Sequence, residues 1–150
     1  MKAEKPRVID VTVGKAQPEE IDAAIGIYRQ HLSQVLGSRY FEVIADCNNT
    51  YVARNKSLGV VGAVTVEKNR LHTEGKSDWV ELKFVGVESD LRGSSVGRQL
   101  ISQVTEEMKK EGFHRIIVKV YPAKSNLVGF FHKMGFKMEE NDLVTMKLEV

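Results

Sequence analysis

The chain has 150 residues, 42% of them hydrophobic and 28% charged, with a formal net charge of +2. That is the length of one domain with ordinary globular composition: enough to bury a core without metal or disulfide support, and too mild in charge for a protein built to neutralise many phosphates of a nucleic acid. The single cysteine, Cys47, excludes an internal disulfide and a CxxC metal site, and His31, His72, His114 and His132 show no HxxxH spacing, so no metal centre is expected.

The opening MKAEKPRVIDV carries no apolar h-region, and no stretch approaches the length of a transmembrane helix. The expectation is a cytoplasmic protein, or a nuclear one in a eukaryote, that works away from membranes. Val8 to Val13 reads as a first strand. Pro18 then opens a helix with Glu19 and Glu20 in the turn where the dipole favours anions, and Ile21, Ala24, Ile25, Tyr28 and Leu32 form one apolar stripe. A less periodic segment runs to Asn49. TYVAR, a turn at Asn55 to Ser57, and LGVVGAVTVE read as a β-hairpin.

NRLHTEGKSD is a polar connection. Its Gly75, Lys76 and Ser77 imitate the tail of a phosphate-binding P-loop, but the glycine that motif needs five residues earlier is Arg70. WVELKFVGV is a longer strand. From Val96, the residues Leu100, Ile101, Val104 and Met108 recur at helical spacing, and Gly112 offers a stop. HRIIVKVY is a further strand. SNLVGFFHKMGF is a short helix with Leu127, Phe130, Phe131 and Met134 on one face and Gly135 as its cap, and LVTMKLEV closes the chain as a strand. The order predicts a mixed α/β sheet in one domain spanning residues 1–150, with no linker, repeat or low-complexity tract to divide it.

The junction GVESDLRGSSVGRQL is where a strand hands over to a helix. A helix start leaves backbone N–H groups without internal partners and carries partial positive charge, so it accommodates an anion. Gly93 and Gly97 permit close approach, Ser94 and Ser95 add little bulk, and Arg92 and Arg98 bring fixed charge. The plainer reading is a turn at Gly93 and a serine cap on the helix.

Arg92, Gly93, Ser94, Ser95, Val96 and Gly97 resemble the acetyl-CoA motif Q/R-x-x-G-x-G/A of the GNAT acyltransferase superfamily, with Ser95 in place of the middle glycine. The hairpin YVARNKSLGVVGAVTVE is similar to that family's second and third strands, and NLVGFFHKMGF to its late helix ending in GF, so the likeness covers most of residues 50 to 137. The resemblance implies the family fold, a mainly antiparallel central sheet flanked by helices. It also implies acetyl-CoA as co-substrate, its diphosphate on Arg92 to Arg98 and its pantetheine arm paired with the backbone of Val85 and Val87.

Acetyl transfer to an amine needs a free lone pair on the acceptor, a stabilised oxyanion and a proton for the leaving thiolate. Glu81 is the candidate base, on the strand leading into the loop and on the same side as Val85 and Val87 by period-two counting. ELKFVGV also resembles the corresponding strand of histone lysine acetyltransferases in the superfamily, which implies a general base at Glu81. Against this, a lone strand glutamate is commonly a solvated or salt-bridged face residue. The Val85 N–H is the candidate oxyanion donor.

Where many family members carry a tyrosine acid, this chain has Phe131, a core or pantetheine-facing side chain. Tyr121 is the alternative acid, His132 turns away from the apolar face, and Asn126 is either a contact to the CoA arm or a helix cap. The reading is an N-acetyltransferase acting on a primary amine such as a protein lysine, by direct attack in a ternary complex. Two alternatives stand beside it: a catalytically weak acyl-CoA-binding regulatory module, and an N-acetyltransferase for small amines such as polyamines or aminoglycosides. No direct nucleic-acid partner is expected.

Overall fold

The computed structural model describes residues 8–32, 45–69, 78–120, 125–139 and 142–150. Its strands are β1 (Thr12–Lys15), β2 (Thr50–Asn55), β3 (Gly59–Asn69), β4 (Trp79–Val87), β5 (Arg115–Lys119), β6 (Lys137–Glu139) and β7 (Asp142–Glu149). The helices are α1 (Ile21–Leu32), α2 (Val96–Lys110) and α3 (Ser125–Lys133), with 3-10 turns at Pro18–Glu20 and Ser89–Leu91. The strands hydrogen-bond in the order β1-β2-β3-β4-β5-β7-β6. β4 and β5 run parallel, while β1–β2, β2–β3, β5–β7 and β6–β7 are antiparallel. A parallel pair cannot be joined by a tight hairpin, and α2 lies in the connection between β4 and β5.

The first strand differs from the sequence expectation. It begins at Thr12, not Val8, because the backbone before it is bonded to side chains: Ile9 to Ser95 and Gln99, and the Asp10 carbonyl to Asn55 Nδ2 at 2.9 Å. The short β6 was not anticipated, since three residues offer no readable period. The apolar spacing of α2 is fully used, with Val96, Leu100, Ile101, Val104 and Met108 all buried. Both predicted glycine stops hold. Phe113 N–H returns to the Met108 carbonyl at 3.1 Å, and Phe136 N–H to the Phe131 carbonyl at 3.0 Å, the wide bond of a Schellman cap.

Contacts divide the chain into two compact units, Met1–Thr65 with Phe84–Val104, and Val66–Lys83 with Thr105–Val150. In the first, Ala24, Ile25, Tyr28, Val52, Ala63 and Phe84 form a buried cluster, with the Tyr28 and Phe84 rings 5.3 Å apart. A polar chain runs through it. Tyr28 OH and Thr65 Oγ1 are 2.9 Å apart, Thr65 Oγ1 and Thr50 Oγ1 another 2.9 Å, and Thr50 Oγ1 donates to Asn49 Oδ1 at 3.4 Å. Burial pushes the Tyr28 phenol far above its usual range, so it stays protonated. In the second unit, Phe131 is buried against Phe130 and Phe136 with edge-on rings at 5.1 and 5.2 Å, while Leu127, expected on that apolar face, is 41% exposed.

Candidate active site

β4 alternates as a strand with one core face must. Val80, Leu82 and Phe84 are buried on one side, and Glu81, Lys83, Val85 and Val87 share the other. Glu81 is the buried member of that second set, at 8% exposure; Lys83, Val85 and Val87 are half-buried. Lys83 Nζ stands 3.8 Å from Glu81 Oε2 and 3.4 Å from Glu67 Oε2, so the carboxylate has an ammonium neighbour on its own strand. The parallel ladder with β5 pairs Trp79–Leu82 with Arg115–Val118. Val85 lies beyond it.

The chain leaves β4 through a tightly tied turn. Glu88 N–H donates to the Val61 carbonyl at 2.9 Å, and Leu91 N–H to the Glu88 carbonyl at 2.9 Å, burying Leu91. Gln30 of α1 holds the turn from outside, its Oε1 accepting from Ser89 N–H and Oγ at 3.1 and 2.9 Å and its Nε2 donating to Glu88 at 3.1 Å. Gly93 follows with φ of 78°, in open space where a side chain would meet nothing within 4 Å but would be strained by the backbone.

α2 then starts close above β3. A Cβ on Gly62 would stand 3.1 Å from Val96 Cγ1 and 3.4 Å from Leu100 Cδ2, so the absence of a side chain there sets how near the helix comes. The first backbone bond of the helix is Gln99 N–H to the Ser95 carbonyl at 3.0 Å. Ahead of it, the Gly97 and Arg98 amides have no acceptor among the described residues, and Val96 N–H has only Ser94 Oγ at a long 3.4 Å. Ser95 does not cap the helix. Its Oγ accepts instead from Ile9 N–H at 2.9 Å and Gln99 Nε2 at 2.8 Å.

Unsatisfied amides at a helix start, two exposed arginines at 92 and 98, a serine hydroxyl and an open glycine make a donor set suited to a diphosphate. Val96 contributes only its amide, because its side chain is wholly buried. Phe131 is a core side chain of the second unit, and His132 is exposed. Tyr121 lies outside the described residues, as does the side chain of Asn126, whose backbone is in the first turn of α3. Cys47 is half-buried in the turn before β2 and away from these motifs in sequence. Sequence reasoning missed Ile9 and Gln99. The one available signal was the four-residue interval from Ser95 to Gln99, which suits a contact within a helical turn.

Among the described residues there is no group of three His, Cys, Asp or Glu side chains able to hold a metal, and no helix is long and apolar enough to cross a membrane.

The model of the acetyltransferase (GNAT) family matches residues 20–136, and the chain belongs to that family. It is an acetyltransferase, with acetyl-CoA as its co-substrate. No curated protein sequence gives a significant match. Among solved structures it is similar to a transcriptional regulator from Bacillus halodurans C-125, with 24% identity, 89% of this chain and 97% of that one covered, and a TM-score of 0.73. It is also similar to PaiA N-acetyltransferase from Thermoplasma acidophilum in complex with coenzyme A (16% identity, 95% and 100% covered, TM-score 0.70). A third is the ribosomal-protein-alanine N-acetyltransferase from Brucella melitensis (18% identity, 93% and 99% covered, TM-score 0.68). At such identities the likeness is one of fold.

Proposed function

We propose that the protein moves the acetyl group of acetyl-CoA to a primary amine, with a protein lysine as the acceptor class, by direct attack in a ternary complex. The observation that carries this is the start of α2, where the Gly97 and Arg98 amides have no acceptor among the described residues and Val96 N–H has only a long contact to Ser94 Oγ. Arg92 to Arg98 hold the diphosphate, and the backbone of Val85 and Val87 orients the pantetheine arm along β4. Glu81 takes the proton from the acceptor nitrogen, for which its place on the Val85 face of β4 suits it. The Val85 N–H donates to the thioester oxygen as charge builds there. Tyr121 is the candidate for returning a proton to the thiolate. The Thermoplasma relative was solved in complex with coenzyme A, which supports the cofactor in this reading, and the Brucella relative is named for a ribosomal-protein alanine, which supports a protein acceptor but not lysine in particular.

The test is release of CoA thiol with lysine-bearing histone-tail peptides, polyamines and aminoglycosides, for the native protein and for Glu81→Gln. The expected result is release with a lysine peptide and a kcat lower by about 100-fold or more in the variant, the range a positioned base supplies. Release with small amines only would replace the lysine reading. Tight binding with no release on any acceptor, and no effect of the substitution, would make the chain a binding module.

A further inference from the structure

Resting on the reading of Glu81 as the base, we propose that Glu67 and Lys83 are positioning residues for the acceptor: the incoming ammonium replaces Lys83 at Glu81, and Glu67 takes the displaced Lys83. Such an exchange suits an acceptor that arrives as a cation, as a lysine does. The three side chains belong to one compact unit, Glu67 on β3 and the other two on the neighbouring β4.

The reasoning begins with how poorly Glu81 is answered. At 8% exposure it is a buried carboxylate, yet among the described residues no hydrogen bond reaches it, and its ion-pair neighbour Lys83 Nζ stands off at 3.8 Å. Buried carboxylates ordinarily collect close donors. Lys83 is shared rather than committed, since Glu67 Oε2 is also near it, at 3.4 Å. One position along β3, Lys68 shows what a committed pair looks like: its Nζ closes on Glu111 Oε1 at 2.8 Å.

A second ammonium meets repulsion at Glu81 while Lys83 stays, because like charges at such range oppose each other. Glu67 removes the conflict. Its side chain is 52% exposed against 10% for Glu81, so a Lys83 ammonium drawn to Glu67 moves toward water, where solvent helps hold the charge. The direction of the exchange follows, with Lys83 going outward and the acceptor inward.

The test uses the full chain with a lysine-bearing histone-tail peptide and saturating acetyl-CoA, following CoA thiol release so that the peptide KM and kcat are read separately. In Glu67→Gln, Lys83 falls back on Glu81 and leaves about one protein in ten ready for the acceptor, so KM is expected to rise about tenfold with kcat within about twofold. The acetyl-CoA Kd by calorimetry stays as in the native protein. Lys83→Met removes the competitor, and in that background Glu67→Gln should no longer change KM. A Glu67 that merely attracted a cationic peptide would raise KM in both backgrounds.

A native KM in Glu67→Gln, or the same rise in the Lys83→Met background, overturns the inference, while a lowered kcat in Glu81→Gln keeps the functional reading standing. Undiminished turnover in Glu81→Gln, or no turnover of the lysine peptide by the native protein, overturns both. Should Lys83→Met not fold, Lys83→Gln carries the same comparison.

Discussion

Two helix starts in the same compact unit are finished in opposite ways. At the entrance to α1, Pro18 has no N–H to satisfy, and Gln17 N–H is taken by Glu20 Oε1 at 2.8 Å. The acidic Glu19, Glu20 and Asp22 face the positive end of the dipole, and Arg54 grips the Glu20 carboxylate through two 2.6 Å bonds. At α2 the first turn has no acidic residue, Arg98 adds positive charge where the dipole already supplies it, and the Ser95 hydroxyl is turned aside to Ile9 and Gln99. A helix start that serves only the fold consumes its own donors. One proposed to serve a ligand leaves amides over, at a local electrostatic cost that an anion would remove.

The sharpest way to break the contrast is to fill the open start. Gly97→Leu is expected to raise the acetyl-CoA Kd by about 100-fold in calorimetry, because a side chain in the first turn pushes the diphosphate off the amides. Glu81→Gln should leave that Kd nearly unchanged, so equal losses from the two substitutions would refute the separation of binding from proton transfer. Next in size is Ser95→Asp, which puts at the start of α2 the kind of negative charge that the entrance to α1 carries in its first turn. The ligand-free protein should melt no lower, with a gain of up to about 1 kcal/mol, whereas acetyl-CoA binding should fall tenfold or more.

Gly62→Ala tests the floor beneath α2. The added methyl sits 3.1 Å from Val96 Cγ1, so a cost of about 1 kcal/mol in urea unfolding is expected, with acetyl-CoA weakened several-fold although Gly62 is a β3 residue under the helix. The smallest effect is expected at the closed start. Glu20→Gln should cost about 1 kcal/mol or less, since the pair with Arg54 is partly exposed.

That last variant also has a pH signature. The hydrogen bonds from Arg54, more than any other cause, hold the native Glu20 carboxyl below its ordinary range against the opposing effect of burial. Its contribution is therefore complete above the unfolded carboxylate pKa and is lost as pH falls through the lower native value. Stability against pH should drop on the acid side in the wild-type protein and be flatter there in Glu20→Gln.

Much of this was readable from residues in order. The strand and helix positions followed from period: the odd residues of WVELKFVGV do share one face of β4, and every predicted core residue of α2 is buried. Pro18, Gly112 and Gly135 marked boundaries because their backbone chemistry is local. What escaped was set by distant partners. Val8–Val13 has the composition of a strand, but Ile9 and Asp10 spend backbone groups on Ser95, Gln99 and Asn55, and pairing with β2 begins only at Thr12 opposite Arg54. Ser95 looked like a cap or a weakened glycine. Its actual bonds, 86 residues apart in the chain, leave no trace in local spacing.

The hydroxyl chain through the first core has a bearing on assembly. Thr50 and Thr65 lie opposite each other where β2 meets β3, and Tyr28 reaches them from α1. If the hairpin closed one residue out of step, Thr50 and Thr65 would no longer lie opposite each other on one face, and the hydroxyl chain that begins at Tyr28 would be broken in an apolar interior. Misaligned hairpins are thus penalised before any ligand is present. Three oxygens act as a proofreader of strand alignment, and replacing them with aliphatic side chains would yield a greasier core that is less particular about how it zips.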